Sequence, residues 1–245
     1  MSKKSAEQSR AARAAAVVDE QRRRESRRRT TLIGVVVAVL VALVVAGYVA
    51  LSSRDTTGSD AATPSGLTDS YAVVVGDDAA PTTLTFFEDP QCPVCAAFEA
   101  EVADEVDAAV AAGEVKVEYR VVSFLDDASE NDYSSRAANA LMVVQDAAGP
   151  DAFAALHRIL FENQPAEGTA GPEDEQLIAW AVEAGAEEAD VRDGIESRVF
   201  EQFVANATDQ MSQDGVNGTP SVLVDGELVD GGPAEALAAV REVVG

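Results

Sequence analysis

The sequence predicts an α/β domain with a helical insertion, preceded by one N-terminal transmembrane helix. Three observations carry this. An uncharged apolar run follows a basic tail; a strand–helix–strand pattern opens the remainder, and a hairpin and helix close it; and the two cysteines of the chain, Cys92 and Cys95, stand where the first of those helices begins.

Residues 1–31 carry ten Lys/Arg against four Asp/Glu, a balance of +6 in a chain whose net charge is −25, which leaves −31 on everything after them. So acidic a domain repels nucleic acid and anionic head groups, and neither is expected as its partner. Residues 32–51 (LIGVVVAVLVALVVAGYVAL) form a run of twenty without a charge. At ~1.5 Å per residue such a helix spans the ~30 Å hydrocarbon core of a bilayer. The arginine triplets at 22–24 and 27–29 lie on its N-terminal side, which predicts a cytoplasmic tail and an extracytoplasmic domain, single-pass in the cell membrane. A cleaved signal peptide is the competing reading. Its apolar region is usually only ~7–15 residues, and the sole tolerable cleavage site after Tyr48 is Ala50-Leu51-Ser52. Either way the remainder is exported. Residues 52–69, rich in Ser, Thr, Gly, Asp and Ala at their start, read as a flexible linker, and 70–245 as the exported domain.

Within that domain, 71–75 and 82–87 are short β-rich runs separated by a Gly-Asp-Asp-Ala-Ala-Pro turn. Pro93 stands where a helix can begin, because its missing N–H costs nothing at the first helical position. From there Cys95, Phe98, Val102, Val106 and Val110 recur at three- and four-residue spacing, one apolar stripe ending near Gly113. Residues 115–121 alternate strictly, the period of a half-buried strand. The stretch 124–213 looks helical, with apolar spacing over 151–162, 172–184 and 186–211 broken by Gly and Pro. Strand character returns at 221–224 and 227–229 around Asp225-Gly226, a strong hairpin signal, and 233–244 reads as a last helix. The order β, β, α, β, helical block, hairpin, α is that of a thioredoxin-like fold with its two halves separated by an insertion.

The chemistry rests on Cys92-Pro93-Val94-Cys95. A structural disulfide is one reading, but a two-residue spacer constrains little of the unfolded chain. A zinc site is another; one C-x-x-C supplies two ligands, and the chain has no further cysteine and a single histidine, His157. A redox pair is the third. A thiol exchanges as thiolate, and a helix N-terminus lowers a thiol pKa through its unpaired N–H groups and dipole. On that reading Cys92 is the exposed nucleophile, and Cys95, one turn on and facing the core, is the shielded resolving thiol. No metal and no cofactor are expected.

The run from Phe86 to Cys95 (FFEDPQCPVC) resembles the active-site segment of the DsbA-like family of thioredoxin-fold oxidoreductases. Residues 215–226 (GVNGTPSVLVDG) resemble that family's loop bearing a cis-proline, and 155–164 (ALHRILFENQ) its helical insertion. The likeness covers about 70–245. It implies a cis Thr219–Pro220 bond packed beside Cys92, with the Thr219 backbone and Pro220 binding substrate. It makes Pro93 and Val94 the residues that tune the redox potential. Strongly oxidising members similar to this chain often carry His at the place of Val94, and an apolar side chain there cannot donate to a thiolate. The resemblance further implies a membrane-anchored enzyme introducing disulfides into exported cysteine-containing proteins, reoxidised by a membrane protein of the DsbB or vitamin K epoxide reductase-like kind. The alternatives are an extracytoplasmic reductase or isomerase, and a non-catalytic thioredoxin-fold binding module.

Other residues have plainer readings. His157 lies mid-helix, far in sequence from Cys92, and reads as structural or surface. Glu88 and Asp89 could tune the thiols or move a proton, or could be the solvated end of a strand. Trp180 reads as insertion core. No Gly-rich phosphate loop or serine nucleophile elbow appears, so nucleotide use is not expected.

Overall fold

The computed structural model describes residues 60–245; the basic tail, the span expected at 32–51 and the first part of the linker lie outside the described residues. Among the described residues no helix is long and apolar enough to cross a membrane. Five strands, β1 (Val73–Val75), β2 (Thr82–Glu88), β3 (Val115–Val121), β4 (Ser221–Val224) and β5 (Glu227–Leu228), form one sheet in the order β1-β3-β2-β4-β5. β2 and β3 run parallel, which requires a crossover, and helix α1 (Pro93–Ala111) supplies it. The outer pairings, β1 with β3, β2 with β4 and β4 with β5, are antiparallel.

β2 is central, and its adjacent phenylalanines face opposite sides of the sheet. Phe86, paired with Tyr119 and Val222, packs edge-on against Phe98 of α1 at 5.4 Å and Tyr119 at 5.8 Å. Phe87 joins a smaller cluster with Val122, Met211 and Val216. This covering of both faces buries every residue of β2 from Leu84 to Glu88, while β3 alternates buried and half-buried residues. The β4–β5 turn places Asp225 at φ 51° and Gly226 at φ 84°, both left-handed as a two-residue hairpin demands. The Asp225 carboxylate accepts from Thr83 N–H at 2.8 Å, and its own N–H donates to Thr83 O at 2.8 Å, which ties the hairpin to β2.

Five helices make the insertion: α2 (Tyr133–Ala148), α3 (Pro150–Glu162), α4 (Asp174–Glu183), α5 (Glu188–Glu196) and α6 (Glu201–Gln213). The last helix, α7 (Pro233–Val244), packs against α1. Three features differ from the sequence expectation. First, α2 gave no amphipathic stripe, because residues 133–145 are all buried and α3, α4, α5 and α6 surround it. A helix with no solvent face has no polar stripe to detect. Its polar side chains reach partners instead: Arg136 pairs with Asp174 at 2.6 Å, and Asn139 accepts from Phe200 N–H at 2.8 Å. Second, the run expected at 186–211 is two helices, broken where Arg198 takes a left-handed φ of 52°. Third, residues 60–69, read as linker, are docked in part. Ser65 N–H donates to Asp146 at 2.8 Å, Leu67 bridges to Val73, and Ala61 and Leu67 pack on the core. Their polar composition conceals backbone pairing, which carries no side-chain signature.

Candidate redox site

β2 ends at Glu88, and the chain turns through Asp89, Pro90 and Gln91 into α1, with Cys92 N–H donating to Asp89 O at 2.9 Å. Cys92 is the N-cap of α1, extended at φ −74° and ψ 113°, and Pro93 follows where its ring suits the first turn. The Cys92 Sγ accepts from Cys95 N–H at 3.4 Å and lies 3.4 Å from Thr219 O. The Thr219–Pro220 bond is cis. Both cysteines are free thiols, and Cys92 is not the exposed thiol the sequence suggested: it is 4% exposed and Cys95 0%, because the Thr219–Pro220 loop packs beside it.

The loop before Cys92 is held from two sides. The fully buried Asp89 carboxylate accepts from Gln91 N–H, Ser134 Oγ and Leu125 N–H, each at 2.7 Å. Gln164, just beyond α3, donates its side-chain amide to Pro90 O at 2.9 Å and Cys92 O at 3.0 Å. The insertion therefore fixes the redox loop as well as covering the core.

The two thiols are pushed apart. A hydrogen bond from the Cys95 side chain, the Thr219 side chain and the Cys95 and Val94 backbone N–H groups outweigh partial burial and bring Cys92 down from 9.0 to about 6. Burial, then the neighbouring Cys92 and Glu88, drive the Cys95 thiol far above its ordinary range. At neutral pH the site thus holds a thiolate on Cys92 and a thiol on Cys95. Val94 is 42% exposed and lends only its backbone N–H to this balance.

Behind Cys95 lies a buried acidic cluster. Glu88 is 1% exposed, so it is not the solvated end of a strand, and its Oε2 lies 2.9 Å from His157 Nε2. Burial raises Glu88 to about 8, against a hydrogen bond from Glu99, and raises Asp89 to about 6 despite its three donors. Burial also lifts Glu99 well above the carboxylate range and lowers His157. Two carboxyls that hydrogen-bond to each other must share a proton, which answers the charge of the pair. The ligand atoms of Glu88, Glu99 and His157 lie within 4.8 Å of one another, so these residues are also the described group close enough to hold a metal ion.

Comparison with known proteins settles the family. The thioredoxin family profile matches residues 68–240, most of the described domain. DsbA from Mycobacterium tuberculosis superposes with a TM-score of 0.60 at 34% identity, over 71% of this chain and 93% of that one. The chain is a DsbA-like member of the thioredoxin family. The reduced disulfide bond oxidoreductase DsbG of the same organism matches with a TM-score of 0.61 at 34% identity, over 71% of this chain and 88% of that one. BdbD from Bacillus subtilis has the same fold, with a TM-score of 0.61 at 22% identity over 76% of this chain and 99% of that one. A segment of 164 residues, 64% of this chain, is 34% identical to the serine/threonine-protein kinase PknE of Mycobacterium tuberculosis, and the match spans only 29% of that kinase's length.

The DsbA-like domain is thus a thiol–disulfide oxidoreductase by family. The structure brings Cys92, Cys95, Pro93, Thr219 and Pro220 to one point and leaves Val94 beside it facing solvent. It also brings in His157, which is neither on the surface nor remote from the thiols. Its ring is buried between Tyr119 at 4.6 Å and Phe161 at 4.8 Å. Glu99 and Gln164 carried no sequence signal of their own. Glu99 does fall one turn beyond Cys95, on the same face of α1, and that spacing was the available clue.

Proposed function

We propose that this protein introduces disulfides into exported proteins, working from an N-terminal membrane anchor through the Cys92–Cys95 pair. In the oxidised enzyme a client thiolate attacks Cys92 Sγ; the client–Cys92 bond forms, the Cys92–Cys95 bond breaks, and Cys95 leaves as a thiolate. A buried thiolate with so high an affinity for a proton has to be protonated as it leaves. Glu88 is the buried acid that acts on Cys95, and burial keeps it protonated at neutral pH. A second client thiolate then attacks the client sulfur of the mixed disulfide. The client disulfide forms, and Cys92 leaves as the stable thiolate of a thiol with a pKa of about 6. The client is oxidised by two electrons and the enzyme reduced by two. A membrane reoxidase of the DsbB or vitamin K epoxide reductase-like kind, as in the family, takes those electrons. Thr219 offers its backbone to an extended client segment beside Cys92.

The observation that carries this reading is the unequal pair, a stabilised thiolate on Cys92 one helical turn from a shielded thiol on Cys95. The test is oxidation of a reduced two-cysteine peptide by the oxidised protein. Wild type is expected to deliver one disulfide per molecule and Cys92→Ser none. Full peptide oxidation by Cys92→Ser would overturn the scheme.

A further inference from the structure

By composition the chain looks short of a zinc set, with two cysteines side by side and one histidine. The fold assembles a different set. Glu88 at the end of β2, Glu99 on α1 and His157 on α3 are all buried, and their ligand atoms lie within 4.8 Å of one another. The pair His157 Nε2 and Glu88 Oε2 is 2.9 Å apart. Ligand atoms around a tetrahedral zinc ion stand ~3.3–3.5 Å apart, since each bond is about 2.0–2.2 Å long. The cluster brackets that spacing. Each donor comes from a different element of the core, so packing holds the set and no single loop does. Glu88 Oε1 and Glu99 Oε1 are buried and have no hydrogen-bond partner. Buried polar atoms are normally paired, and two lone carboxyl oxygens beside an imidazole are acceptors that a cation satisfies.

We propose that Glu88, Glu99 and His157 form a binding site for one divalent transition-metal ion of the zinc class. Two carboxylates and a neutral imidazole balance a dication, and the proton that the carboxyls share leaves as the ion enters. Imidazole with carboxylate suits zinc-class ions. Calcium takes about six to eight oxygen ligands, and magnesium holds an octahedron of them. The ion's way in is the cleft between α1 and α3, a cavity of about 280 Å³ that Glu99 lines together with Ala96, Ala100, Ala103 and Arg158. The Arg158 charge there is answered by Asp104 at 2.9 Å and by Asp107. The net charge of −25 draws cations to the molecule, and water from the cleft completes a four-coordinate ion. The inference does not depend on the direction of disulfide exchange, because neither thiol is in the ligand set.

The test uses the untagged full-length protein in mild detergent with the Cys92–Cys95 disulfide closed, so that no thiol of the chain can bind metal. His157 is the sole histidine, and its imidazole signals in a nitrogen-correlated proton NMR spectrum report on this cluster alone. One equivalent of zinc is expected to move them, and calorimetry is expected to show one strongly held ion per molecule. Calcium at the same concentration is expected to leave them in place. Removing even a neighbour of a metal ligand costs ~10–100-fold in affinity. Loss of a ligand in Glu99→Gln or, independently, His157→Gln is therefore expected to weaken zinc binding at least roughly tenfold. The exposed Glu183 on α4 is the control, and Glu183→Gln should bind as wild type does. Imidazole signals that ignore zinc would overturn the site. So would equal affinity in wild type and Glu99→Gln, the pattern of ions scattered over surface carboxylates. The NMR measurement needs no substitution, so it decides even if a variant fails to fold.

Discussion

The largest cause of the low Cys92 pKa is a hydrogen bond from the Cys95 side chain, and that cause can be removed by one substitution. Cys95→Ala deletes the donor and leaves Cys92 as the sole thiol of the chain, while Cys95→Ser keeps a hydroxyl donor in the same place. A hydrogen bond to a charged group is worth about 1.5–3 kcal/mol, and one pH unit corresponds to ~1.36 kcal/mol. Losing the bond should therefore raise the Cys92 pKa by about 1–2 units. The assay is the rate of alkylation by iodoacetamide as a function of pH, which follows the thiolate alone. Cys95→Ser is expected to titrate near 6, close to the value of the native pair, and Cys95→Ala well above it. An unchanged midpoint in Cys95→Ala would show that the helix N-terminus and Thr219 suffice and that the proposed coupling between the thiols is wrong. Cys92 has a folded pKa below its unfolded value, so it stabilises the reduced protein fully above the unfolded pKa and loses that contribution as pH falls through about 6. At pH 7, allowing for solvent screening, this is about 1 kcal/mol, or about 20 mV in favour of the reduced form.

Glu88→Gln should stabilise the reduced domain above pH 8, because burial raises the Glu88 pKa to about 8 and its ionisation is therefore a cost. The wild-type protein gains stability from this group as pH falls from 8 toward 4.5, and urea unfolding of the variant should show a flatter profile there. Asp89→Ala removes the acceptor of three 2.7 Å hydrogen bonds from Gln91, Leu125 and Ser134. It should lose about 2–4 kcal/mol of stability and slow thiol exchange, since stranded buried donors cost about 1–3 kcal/mol each at most. Gly171→Ala would drive a Cβ into the buried Tyr133 ring. An overpacking loss of about 1–3 kcal/mol is expected by denaturant titration, with unchanged exchange chemistry.

Much of this architecture is legible in the amino-acid sequence, and the reasons are local. The alternation of 115–121, the Asp225-Gly226 turn and Pro93 after Cys92 are short-range signals, and each became the element it announced. What stayed hidden depends on long-range packing. α2 has no polar face because other helices enclose it on every side. Glu88 ends β2 and Asp89 follows it, so both look like the strand's wet end, yet Ser134, Leu125 and His157 close over them. His157 looks remote because 69 residues separate it from Glu88. Only the folding of α3 back over the end of β2 makes them neighbours. The redox pair was legible from its spacing and position, whereas the proton-handling residues behind it were not, since a buried carboxyl and an exposed one are spelled alike.

The most direct test of the whole account is the reduction potential of the Cys92–Cys95 couple, measured by equilibration in glutathione buffers at pH 7. A thiolate stabilised on Cys92 favours the reduced form. Its pKa of about 6 lies between about 7, for a thiol of a reductant at about −270 mV, and about 3.5, for that of an oxidant at about −120 mV. The couple should therefore lie between those potentials and above the first. The exposed side chain of Val94 does not prevent this, because the stabilising donors are Cys95, Thr219 and backbone N–H groups. A potential near about −270 mV, the range of a reductant, would contradict disulfide donation and reverse the direction in which this pair works.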